Sequence, residues 1–167
     1  MPTPWDQPLD AYGLARSRAV IEREFSVGGF ARLRDRLAEL TGSAAARIEF
    51  RFLEGLPAAE LHVEASVVLV CQRCLGPVRR KLESVSPLVF ADEDAPGLPP
   101  DYEPVGGDPR KLDLTALVED ELLLSLPLIA QHEPTEECKP PGGAAKSQPE
   151  APAMRRPFAG LKDLLKH

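Results

Sequence analysis

Apolar and polar positions alternate most cleanly over residues 60–69, where Leu61, Val63, Ala65, Val67 and Leu69 fall on one parity and Glu60, His62, Glu64 and Ser66 on the other. A period of two sends one set of side chains to a core and the other to solvent, so the stretch predicts a half-buried strand. Residues 78–90, rich in Val and Leu but carrying Arg79, Arg80 and Lys81, predict its antiparallel partner. The connection, Cys71-Gln72-Arg73-Cys74-Leu75-Gly76-Pro77, is short and closed by Gly-Pro, which makes a hairpin with two thiols and an arginine at its tip. Upstream, Ile48, Phe50 and Phe52 alternate with Arg47, Glu49 and Arg51 over residues 47–53, and Gly55-Leu56-Pro57 turns the chain into the hairpin. Residues 16–27 read as one more strand, ending in Val27-Gly28-Gly29.

The spacing changes elsewhere. Phe30, Leu33, Leu37 and Leu40 recur every three or four residues and predict a helix over residues 30–42, with Gly42 as its stop. Arg32, Arg34, Asp35, Arg36 and Glu39 fall on its other face, either as a solvated face with short-range ion pairs or as a basic surface for phosphates. Asp113 is placed as the N-cap of a second helix over residues 114–126, ended by Pro127. Leu114, Leu117, Val118, Leu122 and Leu124 define one arc of it. Glu121 falls inside that arc, where a carboxylate needs a partner; Arg73, Arg79 and Arg80 are the candidates. Otherwise Leu123 and Leu126 mark the dry face and Glu121 is wet. Glu119 and Asp120 lie outside the arc and are expected in solvent or on a basic partner.

These elements predict an α+β fold: a small antiparallel sheet, built as a meander of hairpins and packed with two or three helices. Residues 1–14 are expected to be loosely ordered except where Trp5, Leu9 and Leu14 pack. Residues 15–132 form the domain, 133–154 a flexible Pro/Gly/Ala-rich linker, and 155–167 an amphipathic terminal helix. Phe158, Leu161 and Leu165 share one side of that helix, which starts after Pro157. Such a peptide on a tether either docks on a partner or folds back on its own domain. Residues 91–111 hold Asp92-Glu93-Asp94 and five prolines, so they are expected as a long loop, functional or mobile.

Composition narrows the function classes. A net charge of −6 over 167 residues argues against a general nucleic-acid binder, while leaving room for a local basic patch. No apolar run is long enough to span a bilayer, and the start lacks the basic-then-apolar pattern of a secretory signal. Three cysteines do not suit a disulfide scaffold, so a reduced, cytoplasmic protein is expected. There is no Gly-rich phosphate loop and no nucleophile with a base and an orienting acid.

The cysteines carry the remaining chemistry. Two thiols two residues apart can share a metal, act as a redox pair, or simply pack. A thioredoxin-like role does not fit, because that motif lies between a strand and a helix rather than at a hairpin tip. His132 and Cys138 are close enough in sequence to reach one ion. With Cys71 and Cys74 they make three thiolates and an imidazole, the donor set of a closed, structural zinc site. Alternatively, His132 and Cys138 sit in a mobile segment and bind nothing.

One ordered set of residues resembles a known family. Cys71-Gln72-Arg73-Cys74 is followed by Tyr102-Glu103-Pro104-Val105, by Leu112-Asp113-Leu114 running into Val118-Glu119-Asp120-Glu121-Leu122-Leu123-Leu124, then by Leu126-Pro127-Leu128, His132 and Pro157-Phe158-Ala159. In this order they resemble the bacterial YceD family, described as large ribosomal RNA subunit accumulation proteins. The resemblance spans about residues 15–167 and rests on the second half. It implies a non-enzymatic factor in synthesis, processing or stability of large-subunit rRNA, with the pre-ribosomal particle and ribosomal proteins as partners and no small-molecule substrate. Residues 139–156 depart from the family as a long Gly/Pro-rich insert. Two readings follow. In one, Glu119, Asp120 and Glu121 meet a basic ribosomal protein while Arg73, Arg79, Arg80 and Lys81 touch rRNA. In the other, a zinc-binding or thiol-redox protein acts on rRNA only indirectly.

Overall fold

The computed structural model describes residues 7–92, 94, 97–133 and 138. Helix α1 (Ala11–Ser17) leads into strands β1 (Val20–Ser26), β2 (Ser43–Leu53), β3 (Leu56–Val70) and β4 (Pro77–Val89), then a two-residue strand β5 (Glu103–Pro104) and helix α2 (Leu114–Leu124). The strands lie in one sheet in sequence order, antiparallel throughout except for the parallel β4–β5 pair. The expected α+β meander is therefore present.

Alternation decides which face is covered. Ile48, Leu61 and Ser86 lie side by side across β2, β3 and β4, as do Phe50, Ala59 and Leu88, and all of these are buried. Both helices contribute to the same core, α1 through Ala11 and Ala15 and α2 through Leu114, Val118 and Leu122. The opposite parity (Glu22, Arg47, His62, Glu64, Lys81, Glu83) forms a largely polar outer face.

Two expectations are corrected. Residues 16–27 are not one strand: the chain is helical to Ser17 and turns at Arg18, whose φ of 49° does without glycine. Asp10 caps that helix, accepting from the Tyr12 amide at 3.0 Å. Leu9 exchanges two backbone hydrogen bonds with Leu112, and Leu9 and Leu14 pack on the core, the two described exceptions expected in this segment. Trp5 lies outside the described residues.

The helix expected over residues 30–42 is also absent; only Leu33–Arg36 coils, as a 3₁₀ turn. The reason is an open sheet edge. Strand β3 outruns β2, whose pairing stops at Ala44 and Ala65, and β3's last residues would present unpaired backbone groups. Residues 38 and 39 fill the gap: the Ala38 amide donates to Val68 O at 2.7 Å and Glu39 bridges Val68. Phe30 and Leu33 are buried as their spacing suggests, whereas Leu40 is 56% exposed. Gly42 does not cap a helix. It carries φ +141° where the backbone crosses over Ser66.

The second helix forms as expected. Asp113 Oδ1 accepts from the Thr115 and Ala116 amides, both at 3.0 Å, which satisfies two of the orphan donors of its first turn. The described residues of 91–111 form a loop except where Glu103 and Pro104 pair with Leu88 and Val89.

Candidate metal centre

The hairpin tip is a turn of main-chain hydrogen bonds. The Cys71 amide donates to Gly76 O at 2.9 Å, and the Leu75 amide to Cys71 O at 2.9 Å, with Leu75 at φ 60°. The chain leaving α2 returns to this tip, where Ala130 O accepts from the Gln72 amide at 2.8 Å. That contact brings His132 and Cys138 beside the two hairpin thiols. One ligand atom from each of Cys71, Cys74, His132 and Cys138 lies within 4.8 Å of all the others. Cys71 Sγ is 3.7 Å from Cys138 Sγ, and Cys74 Sγ is 3.4 Å from His132 Nδ1.

These distances can be compared with the edges of a tetrahedron. Metal–sulfur bonds of about 2.3 Å and a metal–nitrogen bond of about 2.0 Å give edges of about 3.5–3.8 Å. The four groups are thus close enough to hold one metal ion. His132 Nε2 lies 3.0 Å from Pro77 O. A proton on Nε2, donated to that carbonyl, leaves the Nδ1 lone pair facing the sulfurs, as a metal ligand requires.

Burial raises the thiol pKa of both Cys71 and Cys138, but their outcomes differ. At Cys71 the backbone N–H groups of Cys74, His132 and Arg73 and the His132 side chain outweigh burial and bring the thiol down to about 5. Cys138 meets only burial and the neighbouring sulfurs Cys71 and Cys74, and is pushed up to about 11. The amides around Cys71 thus favour its thiolate while burial and the neighbouring sulfurs hold the Cys138 proton, which a metal entering the site displaces.

The basic residues of the hairpin divide. Arg73 at the tip and Arg79 and Lys81 on β4 are exposed, the last two on the polar outer face of the sheet. Arg80 has the opposite parity, is half-buried, and donates to Gln131 O, tying β4 to the segment that carries His132. Beyond Lys81 the outer face turns acidic, with Glu83 opposite Glu64. The basic surface is thus confined to the end of the hairpin.

The acidic residues of α2 are engaged within the fold, which corrects the expectation of a solvated Glu119. Its Oε1 accepts from the Arg32 and Leu33 amides at 2.6 and 3.0 Å, and its Oε2 from Arg32 Nε at 3.2 Å. Arg32 Nη1 also reaches Asp120 at 2.5 Å. Burial alone would raise the Glu119 pKa, but the two amides and Arg32 hold it below the ordinary value. Glu121 is buried and paired, not with Arg73, Arg79 or Arg80, but with the hydroxyls of Ser84 and Ser86, the latter at 2.7 Å. The signal for that pairing is the two serines, Ser84 and Ser86, among the inward positions of β4 between Leu82 and Leu88.

Glu119→Ala leaves the buried Leu33 amide and the Arg32 amide without an acceptor, at a cost of about 2–4 kcal/mol. A carboxylate whose pKa is lowered by folding stabilises above its unfolded value of about 4.3 and loses that contribution as pH falls through the folded value. The stability gap between the parent and Glu119→Ala is therefore constant near neutrality and narrows as the pH falls below about 4.3 toward the lowered folded value. Urea melts at pH 7 and pH 3.5 check this.

Of the remaining expected residues, Pro157, Phe158, Leu161 and Leu165, and nearly all of the 133–154 linker, lie outside the described residues. Among the described residues no helix is long and apolar enough to cross a membrane.

Comparison with known proteins meets this geometry. The family described as "Large ribosomal RNA subunit accumulation protein YceD" matches residues 59–165, which include most of β3, all of β4 and α2, and all four candidate ligands. A protein of that name from Haemophilus influenzae is 41% identical over 81 residues, which cover 46% of this chain and 45% of the relative. The match thus spans less than half of that relative's length. No solved structure matches. The family pattern covers well over half of the chain, and the protein belongs to the YceD family.

Proposed function

We propose that this protein is a non-enzymatic factor that supports accumulation of large-subunit rRNA by binding the assembling particle in the cytoplasm. The observation that carries the reading is the family match across residues 59–165, supported by the name of the H. influenzae relative. The hairpin supplies a physical means. Cys71, Cys74, His132 and Cys138 hold a structural zinc ion, which fixes the hairpin tip to the chain leaving α2. On this rigid base Arg73, Arg79 and Lys81 meet phosphates, while Arg80 acts as a tether rather than a contact. Glu119 and Glu121 are taken up inside the fold, so Asp120, half-exposed beside Arg32, is the α2 carboxylate left to meet a basic ribosomal protein.

A net charge of −6 permits this because the contacts are few. Three phosphate contacts to single-stranded RNA give a log–log salt slope of about −2, against about −10 for a strongly basic binder. Arg73→Glu with Arg79→Glu is expected to flatten that slope toward zero and to lower large-subunit rRNA relative to small-subunit rRNA in a strain depending on this protein. Full rescue by the double variant would remove the hairpin as the rRNA contact.

A further inference from the structure

Strand β1 is an open edge of the sheet, on the side away from β4 and the hairpin contacts. The strand order runs from β1 to β5, and among the described residues β1 pairs only with β2. That pairing sets which backbone groups are free. The Phe50 amide donates to Ala19 O at 2.9 Å and the Val27 amide to Gly42 O at 3.3 Å, so the odd residues of β1 are the ones hydrogen-bonded to β2. Antiparallel ladders alternate bonded and non-bonded pairs, so the amides and carbonyls of Val20, Glu22, Glu24 and Ser26 point away from the sheet. Such an edge templates a further strand unless it is bulged, covered or blocked by proline. The β1 register runs unbroken, and the strand holds no proline.

The side chains specify the strand that fits. Toward the core, Ile21 and Phe25 are only half-buried and pack on its margin, so apolar residues beside them extend the core. On the outer face Glu24, Ala45, Glu64 and Glu83 lie in one row across β1 to β4. Among the described residues these three carboxylates make no ion pair, while Glu22 pairs with Arg47. The small Ala45 leaves a concavity of about 480 Å³ bordered by Glu22, Glu24 and Glu64, open to a long cationic side chain from a strand beyond β1.

A second copy does not suit this edge. Its free groups set even residues against even residues, and each central antiparallel register then opposes Glu22 to Glu22, Glu22 to Glu24, or Glu24 to Glu24. Like charges directly opposite destabilise a strand pair. The same acidic row repels phosphates.

We propose that β1 takes up an extended segment of a basic protein as a further strand, with Lys or Arg opposite Glu22 and Glu24 and apolar residues opposite Ile21 and Phe25. Backbone hydrogen bonds then hold the segment, and the alternation of charge selects it.

The test uses the full chain and a fluorescent probe peptide that alternates Lys and Val over the seven-residue length of β1. Anisotropy reports binding, and amide hydrogen exchange by NMR reports the site. The expected result is saturable binding with slowed exchange at the Glu22 and Glu24 amides and none at Arg23 and Phe25, which already bond to β2. Ser26→Pro deletes one outward amide at φ −80°, which proline accepts, and weakens the probe about fivefold. Glu24→Lys, at an exposed position, weakens it about tenfold. Urea midpoints confirm that each variant folds, and either one alone decides the matter. Three results overturn the proposal: no binding of the probe at about 1 mM, unchanged exchange at Glu22 and Glu24, or equal binding of a peptide with the same residues in one Lys block and one Val block. Protection of those amides by oligouridine instead assigns the edge to RNA, and protection that rises with protein concentration alone assigns it to a second copy; each also overturns the proposal.

Discussion

Cys74→Ser is expected to strip the protein of its metal and to lower the thermal midpoint by about 10 °C. Cys74 is half-buried at the hairpin tip, so serine fits there and the change isolates ligation from packing. An ion bound only by the folded state, at a thousand times its Kd, adds about 4 kcal/mol. For a chain of this size each kcal/mol moves the midpoint by about 2–4 °C. Chelation should lower the parent to the level of Cys74→Ser and leave the variant where it was. Zinc content by mass spectrometry, read alongside the melts, checks both halves. Equal metal in parent and variant, or a parent melt indifferent to chelator, would show that the four groups are held as free thiols and imidazole. Because a metal must displace the raised Cys138 proton, affinity should also fall as pH is lowered.

Gly42→Ala is expected to cost about 3 kcal/mol or more, although the site is at the surface and far from the metal centre. A Cβ at residue 42 would stand 2.2 Å from Ser66 O and 3.1 Å from Val27 Cγ2. The φ of +141° adds torsional strain for any L side chain. Neither neighbour can give way. Ser66 lies in the middle of the β3–β4 pairing, and Val27 is fully buried with its amide donating to Gly42 O at 3.3 Å. Gly55→Ala is the control, since Gly55 also has positive φ but nothing lies within 4 Å of its built Cβ; it should lose about 1 kcal/mol. Equal midpoints in urea for the two variants would contradict the close crossing of residue 42 over β3.

What could be read from the sequence follows how local each signal is. The β3–β4 hairpin, the Asp113 cap and α2 are set by alternation, turn chemistry and a side chain two or three residues from its partner, and each appears as expected. Cys71, Cys74, His132 and Cys138 were legible as a donor set, but the contact that assembles them, Gln72 to Ala130, was not. Residues 30–42 carry the period of a helix, but tertiary needs override it. The bare edge of β3 recruits Ala38, and the Glu119 carboxylate takes the amides of Arg32 and Leu33 that a helix would have used differently. Helix α1 was hidden by its stop, Arg18 in a left-handed conformation, where the expected punctuation is glycine. The partners of Glu121 lie 35 and 37 residues away on a strand, beyond any helical spacing.

The most direct measurement of the proposed role is sedimentation of the tagged full chain from gently lysed cells on a sucrose gradient at low salt, with rRNA and ribosomal proteins assayed in each fraction. The proposed role predicts co-migration with large-subunit precursors, and release to the top of the gradient for Arg73→Glu with Arg79→Glu. Confinement of the unmodified protein to the top, under conditions that keep precursors intact, would contradict binding to the assembling particle.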